Sequence, residues 1–181
     1  YAVSDNLVSC WAAHDEMHSD FVLLNGDTLF EAAVMQRLLD THDRPVTVAI
    51  SHKGDYDADD MKVELDGGRL VKIGKDLLPD QVHGESIGMI LFRGQGPRLF
   101  RIALEKALRT PSAQTKWYLS VIDEMARSMP VWTCSMKGLQ WCEVDYHADL
   151  KLAEKVVSAC DARRGVEADE RTCQTTEVTL R

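Results

Sequence analysis

The sequence predicts a single α/β domain, and three observations carry the prediction. The run Phe21-Val22-Leu23-Leu24 is apolar on both sides and is stopped by Asn25-Gly26-Asp27; it reads as a buried parallel strand ending in a turn. A second such run, Pro45 to Ser51, follows after one helix-length of chain, so strand, helix and strand succeed one another as in a βαβ unit. The chain has 181 residues, 45% of them hydrophobic, which suits one core of ordinary size.

Each element has its own signal. Asp5 or Asn6 caps a helix through Met17, ahead of the first strand. Thr28 caps a helix from about Leu29 to Thr41, with Phe30, Val34, Leu38 and Leu39 on one face. Met61 to Leu65 and Arg69 to Ile73 alternate on either side of Asp66-Gly67-Gly68, the pattern of a hairpin with one face in water. Glu85 to Phe92 is a strand, and Gln95 to Leu108 and Thr115 to Ser128 are helices. Two short strands, Val131 to Ser135 and Gln140 to Val144, precede an amphipathic helix from His147 or Ala148 to about Ala162. The domain is therefore expected over 1–162, with a polar tail at 163–181 that lacks any apolar period.

Composition narrows the partners. A disordered chain would be more polar and poorer in Val, Ile and Leu, and no apolar run approaches the roughly 20 residues of a membrane helix. With 21 Lys and Arg against 29 Asp and Glu, the net charge is −8, which speaks against nucleic-acid or anionic-membrane binding. It does not speak against nucleotides, which a few local groups and a divalent cation can hold. Five scattered cysteines, Cys10, Cys134, Cys142, Cys160 and Cys173, form no C-x-x-C pair; a reducing cytoplasm is the expected compartment.

Three motifs have plainer explanations than chemistry. His14 and His18 stand four apart, yet the metalloprotease pattern needs Glu directly after the first His, and Asp15 stands there. Gly94-Gln95-Gly96-Pro97-Arg98-Leu99 lacks the third Gly of a dinucleotide loop, and Pro97 suits the first turn of a helix. Cys134 and Cys142 read as small core residues.

Two acidic clusters are better candidates. Asn25-Gly26-Asp27 lies at the carboxyl end of a buried strand, the edge where open α/β sheets bind ligands. Gly26 would let a ligand approach the backbone, and Asp27 would offer a hard oxygen ligand suited to Mg²⁺; the alternative is a cap or turn Asp. In Trp141-Cys142-Glu143-Val144-Asp145, alternation sends both carboxylates to one face, where they repel unless water or a cation intervenes. The alternative for Asp145 is capping of the next helix. Two acidic strand ends far apart in sequence could converge on one metal at a sheet crevice.

The segment Phe21 to Phe30 resembles the first signature of bacterial sugar-phosphate and phosphocholine nucleotidyltransferases, and Trp141 to Leu150 is similar to their closing motif. Asn6-Leu7-Val8-Ser9, Asp57 to Val63, Ile73-Gly74-Lys75 and Gly84 to Gly88 follow in the same order, so the resemblance covers roughly residues 3–160. It implies a Rossmann-like mixed sheet with helices on both faces and an inserted β-hairpin lid. The implied activity is transfer of a nucleotidyl group, cytidylyl by closest similarity, from a nucleoside triphosphate to a phosphorylated alcohol, phosphonate or sugar phosphate, with release of pyrophosphate. It implies Mg²⁺ on Asp27 and Asp145, Lys75 reaching the acceptor's phosphate, Glu143 beside them and Glu85 in the acceptor site. Asn6 and Ser9 fall in the matching stretch before the first signature and are expected substrate contacts. Tyr56 and Trp141 are the aromatic candidates for an acceptor bearing a cation, which the acidic stretch containing Asp55, Asp57, Asp59, Asp60 and Glu85 would also favour. The family's opening strand and Gly-rich triphosphate loop would precede Asn6 and are not in this sequence. The domain is therefore read as N-terminally incomplete, with the edge of the first strand expected to pair with that segment or with a second copy. A non-catalytic α/β binding or assembly module is the competing expectation.

Overall fold

The computed structural model describes residues 6–158. Contacts divide the chain into two compact units. The first comprises the described residues up to Asn25 together with Arg37–Lys137; the second comprises Gly26–Gln36 and the described residues from Gly138 onward. Asp5, the expected end of the last helix and the tail at 163–181 lie outside the described residues.

The first unit is built on a mixed six-stranded sheet. Its strands are β1 (Phe21–Leu24), β3 (Val46–Ser51), β4 (Lys62–Asp66), β5 (Arg69–Gly74), β6 (Gly84–Phe92) and β7 (Trp132–Ser135), in the order β1-β6-β3-β7-β5-β4. The remaining strand, β2 (Thr28–Phe30), belongs to the second unit with β8 (Trp141–Glu143). β3 and β7 run parallel, while β6 is antiparallel to β1, β3 and β4. All nine residues of β6 are buried, as expected of a strand with neighbours on both sides. Helices α1 (Asn6–Ala12), α3 (Gly96–Leu108) and α4 (Tyr118–Ala126) complete this unit, and α2 (Ala32–Leu39) precedes β3. The rings of Phe21, Phe92 and Phe100 stack in series, with centroids 4.7 and 4.4 Å apart, inside a core that includes Val48, Ile90, Leu104 and Ile122.

The expected strand at Phe21–Leu24 is present, but its surroundings differ from those expected. It pairs antiparallel with β6, not parallel, and among the described residues it has a partner on one side only, with Phe21, Val22 and Leu23 half-buried and Leu24 exposed. Four apolar residues carry no information about direction, and the longer buried β6 takes the interior position between β1 and β3. β1 and β3 therefore run parallel to each other but are not hydrogen-bonded. The hairpin at β4 and β5 is as read, and it joins the sheet through β4–β6 and β5–β7 pairs.

Two glycines have steric reasons. Gly88 has φ +67°, and a Cβ there would sit 2.5 Å from Asn25 Nδ2. It lies where the β3–β6 register shifts, so it is the irregular residue that lets β6 pair on both edges. A Cβ on Gly96 would fall 1.8 Å from the Pro45 carbonyl oxygen. The Gly94–Gly96 motif thus serves close packing at the start of α3, with Pro97 in its first turn.

In the second unit, β2 pairs antiparallel with β8, Thr28 opposite Glu143 and Phe30 opposite Trp141. This corrects the helix expected from Leu29: Thr28 begins a strand, not a helix, and α2 starts at Ala32. The amphipathic period misled because Phe30 is spaced to fit the helical face it precedes. Residues 150–158 are helical and pack Ala153 and Val156 against Cys142 and Val144.

Candidate functional site

Local backbone geometry in the second unit sets the positions of Asp27 and Asp145. The ribbon is extended by a hydrogen bond from Val144 N to the Asp27 carbonyl at 3.0 Å, so Asp27 and Asp145 occupy adjoining chain ends just outside the paired residues. At the other end, Gln140 N and Glu31 close the ribbon: Glu31 N donates to Gln140 O, and Gln140 N donates to Glu31 Oε1, each at 3.0 Å. Both Asp27 and Asp145 are exposed, and neither carboxylate has a hydrogen-bond or ion-pair partner among the described residues. A Cβ on Gly26 would meet nothing within 4 Å, so the backbone beside Asp27 is open to approach.

Asp145 is not a helix cap. Its carboxylate accepts from no backbone N–H among the described residues; the turn before the last helix is instead closed by Asp149, whose Oδ2 accepts from the backbone N–H groups of Asp145 and Tyr146 at 3.1 and 2.8 Å. β8 ends at Glu143, so the alternation that placed Glu143 and Asp145 on one face stops before Asp145. Trp141 is half-buried on β8. The donor set of Asp27 and Asp145, two exposed and unengaged carboxylates, fits a hydrated divalent cation that keeps several waters or phosphate oxygens. Among the described residues no three or more His, Cys, Asp or Glu side chains form a closed metal cage.

The other expected residues belong to the first unit. Glu85, the second residue of β6, pairs with Ser51 of β3 and Lys62 of β4, and it is 5% exposed. Its Oε2 lies 2.9 Å from Lys53 Nζ, which also bonds Asp60 Oδ1 at 2.8 Å. One ammonium thus bridges two carboxylates. Burial pushes the Glu85 carboxyl above the usual Glu range, and Lys53 offsets only part of that. Asp60 moves the opposite way: burial raises it, but the hydrogen bonds from Lys53 and the Asp57 backbone N–H outweigh burial. Burial lowers Lys53, yet its two carboxylate partners hold it above the ordinary lysine value.

The loop carrying these groups is closed on itself. Asp57 Oδ1 accepts from the N–H groups of Asp59 and Asp60 at 2.8 and 3.2 Å, and Asp57 N donates to Asp60 Oδ2 at 2.7 Å. The Tyr56 hydroxyl accepts from Lys53 N at 3.3 Å. Lys62, buried at 7% exposure, ties the loop to the end of β5 by donating to the carbonyls of Asp57 and, at 3.0 Å, Lys75. Lys75 itself lies with Nζ 3.2 Å from Asp59 Oδ1 and 4.2 Å from the centroid of the Trp117 ring.

Asn6 and Ser9 are both exposed in α1. Asn6 Oδ1 accepts from Tyr118 N at 2.9 Å, so its carboxamide is committed to the first turn of α4. Other aromatic residues of the first unit are already engaged: Tyr118 is buried with its hydroxyl on Asn25 Oδ1 at 2.8 Å, Trp132 lies beneath Arg44 and Trp117 beneath Lys75. His14 stacks on Trp11, and α1 ends before it, so no His14–His18 helical face exists.

Sequence reasoning missed Lys53, Lys62 and the Asp60 bridge. The Asp57-x-Asp59-Asp60 spacing was a legible Asx-turn signal. The Lys53–Glu85 pair had none, because it depends on β6 entering the sheet between β3 and β4.

No protein-family model and no curated protein sequence matches the chain. Solved structures do. The inositol-1-phosphate CTP transferase of T. maritima superposes with a TM-score of 0.63 at 22% identity, over 80% of this chain and 57% of that one. The CTP:phosphocholine cytidylyltransferase of Streptococcus pneumoniae gives 0.65 at 13% identity, over 87% and 65%. A Bacillus anthracis structure named as a glucose-1-phosphate thymidylyltransferase gives 0.64 at 11% identity, over 88% and 62%. The chain therefore spans less than two thirds of the length of these structures. Together with the mixed sheet, these likenesses show that the chain has the Rossmann-like fold of the nucleotidyltransferases.

Proposed function

We propose that the chain is a nucleotidyltransferase domain that transfers a nucleotidyl group from a nucleoside triphosphate to a phosphorylated small molecule. The observation that carries the reading is the pair of exposed, unengaged carboxylates, Asp27 and Asp145, at adjoining ends of one ribbon. In the reaction an oxygen of the acceptor phosphate attacks the α-phosphorus, a new O–P bond forms, and the bond to the β-phosphate oxygen breaks to release pyrophosphate. Little covalent chemistry is asked of the protein, so charge neutralisation and positioning supply most of the rate. Asp27 and Asp145 would hold Mg²⁺, which neutralises charge on the triphosphate oxygens when bound. Lys75 neutralises the acceptor phosphate, and Glu85, Glu143, Trp141, Tyr56, Asn6 and Ser9 are the proposed substrate-side residues. Asn6 would contribute through what its carboxamide orients, since its oxygen is already used by Tyr118 N.

We read the nucleotide as CTP because two of the similar structures are CTP-dependent by name. A phosphorylated alcohol is the favoured acceptor for the same reason. The acidity of the loop is a weaker guide, because Asp57, Asp59, Asp60 and Glu85 already have hydrogen-bond or lysine partners; Asp55 is exposed without one among the described residues. The test is pyrophosphate release by the full-length protein with Mg²⁺, each NTP, and a panel of phosphocholine, inositol phosphate, aminoethylphosphonate and hexose-1-phosphates. Release with CTP and a phospho-alcohol is expected. Folded, monodisperse protein that releases none with any pair would instead support a non-catalytic module.

A further inference from the structure

Lys75 is gripped more elaborately than a surface lysine needs to be. It follows the last residue of β5, and its carbonyl is held by the buried Lys62 ammonium at 3.0 Å. Its own ammonium stands over the Trp117 ring, 4.2 Å from the centroid, and meets Asp59 Oδ1 at 3.2 Å. The two partners differ in kind. Trp117 is half-buried and fixed at the N-terminus of α4, where its carbonyl accepts from Ser120 N at 3.0 Å and Ser120 Oγ at 2.7 Å. The Asp59 side chain is 89% exposed and has no other partner for its carboxylate among the described residues.

From this asymmetry we propose that Trp117 is the positioning residue for Lys75, and that Asp59 is an exchangeable counter-ion whose place is taken by an oxyanion of the substrate. The proposal rests on the role given to Lys75 above. An aromatic face attracts the ammonium without consuming its hydrogen-bond donors. The N–H groups therefore stay available when the carboxylate leaves. An exposed carboxylate, by contrast, is bound to lysine weakly enough to be displaced. The fixed ring sets where the charge sits, and the exposed carboxylate keeps it neutral until a phosphate arrives.

The test is titration of the full-length protein with inorganic phosphate at constant ionic strength, followed through the backbone amide shifts of residues 74–76. Asp59→Asn should bind phosphate roughly two- to fivefold more tightly, since a competing anion is gone. Trp117→Leu should bind about two- to fivefold more weakly, and Trp117→Phe should fall between it and the wild type. In the Lys75→Met background the effect of Trp117→Leu should vanish, which a merely structural role for the indole would not produce. If Trp117→Leu does not fold, the Trp117→Phe comparison in both backgrounds carries the same information. An unchanged affinity in the ring variants, an equal loss in the Lys75→Met background, or no phosphate-dependent shift in any variant would overturn the proposal. Because the probe is phosphate and no turnover is needed, failure of nucleotidyl transfer and failure of this clamp give separate results.

Discussion

Two sets of candidate carboxylates, one in each unit, are in different states. In the second unit the carboxylates of Asp27 and Asp145 are exposed and have no hydrogen-bond or ion-pair partner among the described residues. In the first unit Asp57, Asp60 and Glu85 are each held by a lysine or a backbone N–H. The contrast separates two uses of the same functional group. A carboxylate satisfied within the protein fixes a loop, whereas an unsatisfied one beside an open glycine is available to a cation or substrate.

The largest expected effect breaks the comparison on the open side. Asp145→Asn or Asp27→Asn in the full-length protein should lower kcat/KM by at least about a hundredfold, or ~2.7 kcal/mol of transition-state stabilisation, with the melting temperature unchanged. Pyrophosphate release and a thermal melt read the two quantities, and normal turnover in Asp145→Asn would remove the cation assignment. Chelation of divalent ions should abolish turnover of the wild type and be reversed by Mg²⁺.

On the satisfied side, Lys53→Met should leave two carboxylates facing each other. A fully buried pair broken this way loses ~3–5 kcal/mol; with the Lys53 side chain 39% exposed, screening by solvent reduces the expectation to about 1–2 kcal/mol at pH 7. The loss should shrink in urea titrations at acidic pH as Glu85 takes up a proton.

Glu85→Gln sharpens the same point with a smaller effect on pH dependence. Glu85 holds its proton more tightly folded than unfolded, so its contribution is largest below the ordinary Glu value and declines as pH rises toward the folded value. Asp60 has a lowered folded value; its contribution is complete above the ordinary Asp value and is lost as pH falls through the folded one. The variant should lose the first slope and retain the second. Stability curves that superpose at every pH would remove the burial argument for Glu85. Smallest of all, Asp59→Asn should change stability by less than about 0.5 kcal/mol, because its pair with Lys75 is open to water.

Much of this was legible in the sequence, and the misses have physical causes. Alternation and a Gly-Gly turn sufficed for the β4–β5 hairpin, and Pro97 marked the start of α3. The direction and position of β1 were not legible, since an apolar run of four residues specifies burial and not neighbours. Asp27, Asp145, Lys75 and Glu85 were legible as candidates through motif order. Their states of engagement were hidden, because Lys53 and Trp117 reach their partners only through sheet pairing and the entry of α4.

The β2–β8 ribbon also has a kinetic consequence. It joins residues from early and late in the chain by three pairs. Closing so long a loop in an unfolded chain costs on the order of 4 kcal/mol or more in entropy, beyond what three pairs supply. The ribbon therefore forms late, after the intervening residues have collapsed, and the two aspartates come together only then. Native-state hydrogen exchange should accordingly find Glu31 N and Val144 N less protected than the amides of β6, and a destabilising change should erode the aspartate pair before it melts the sheet.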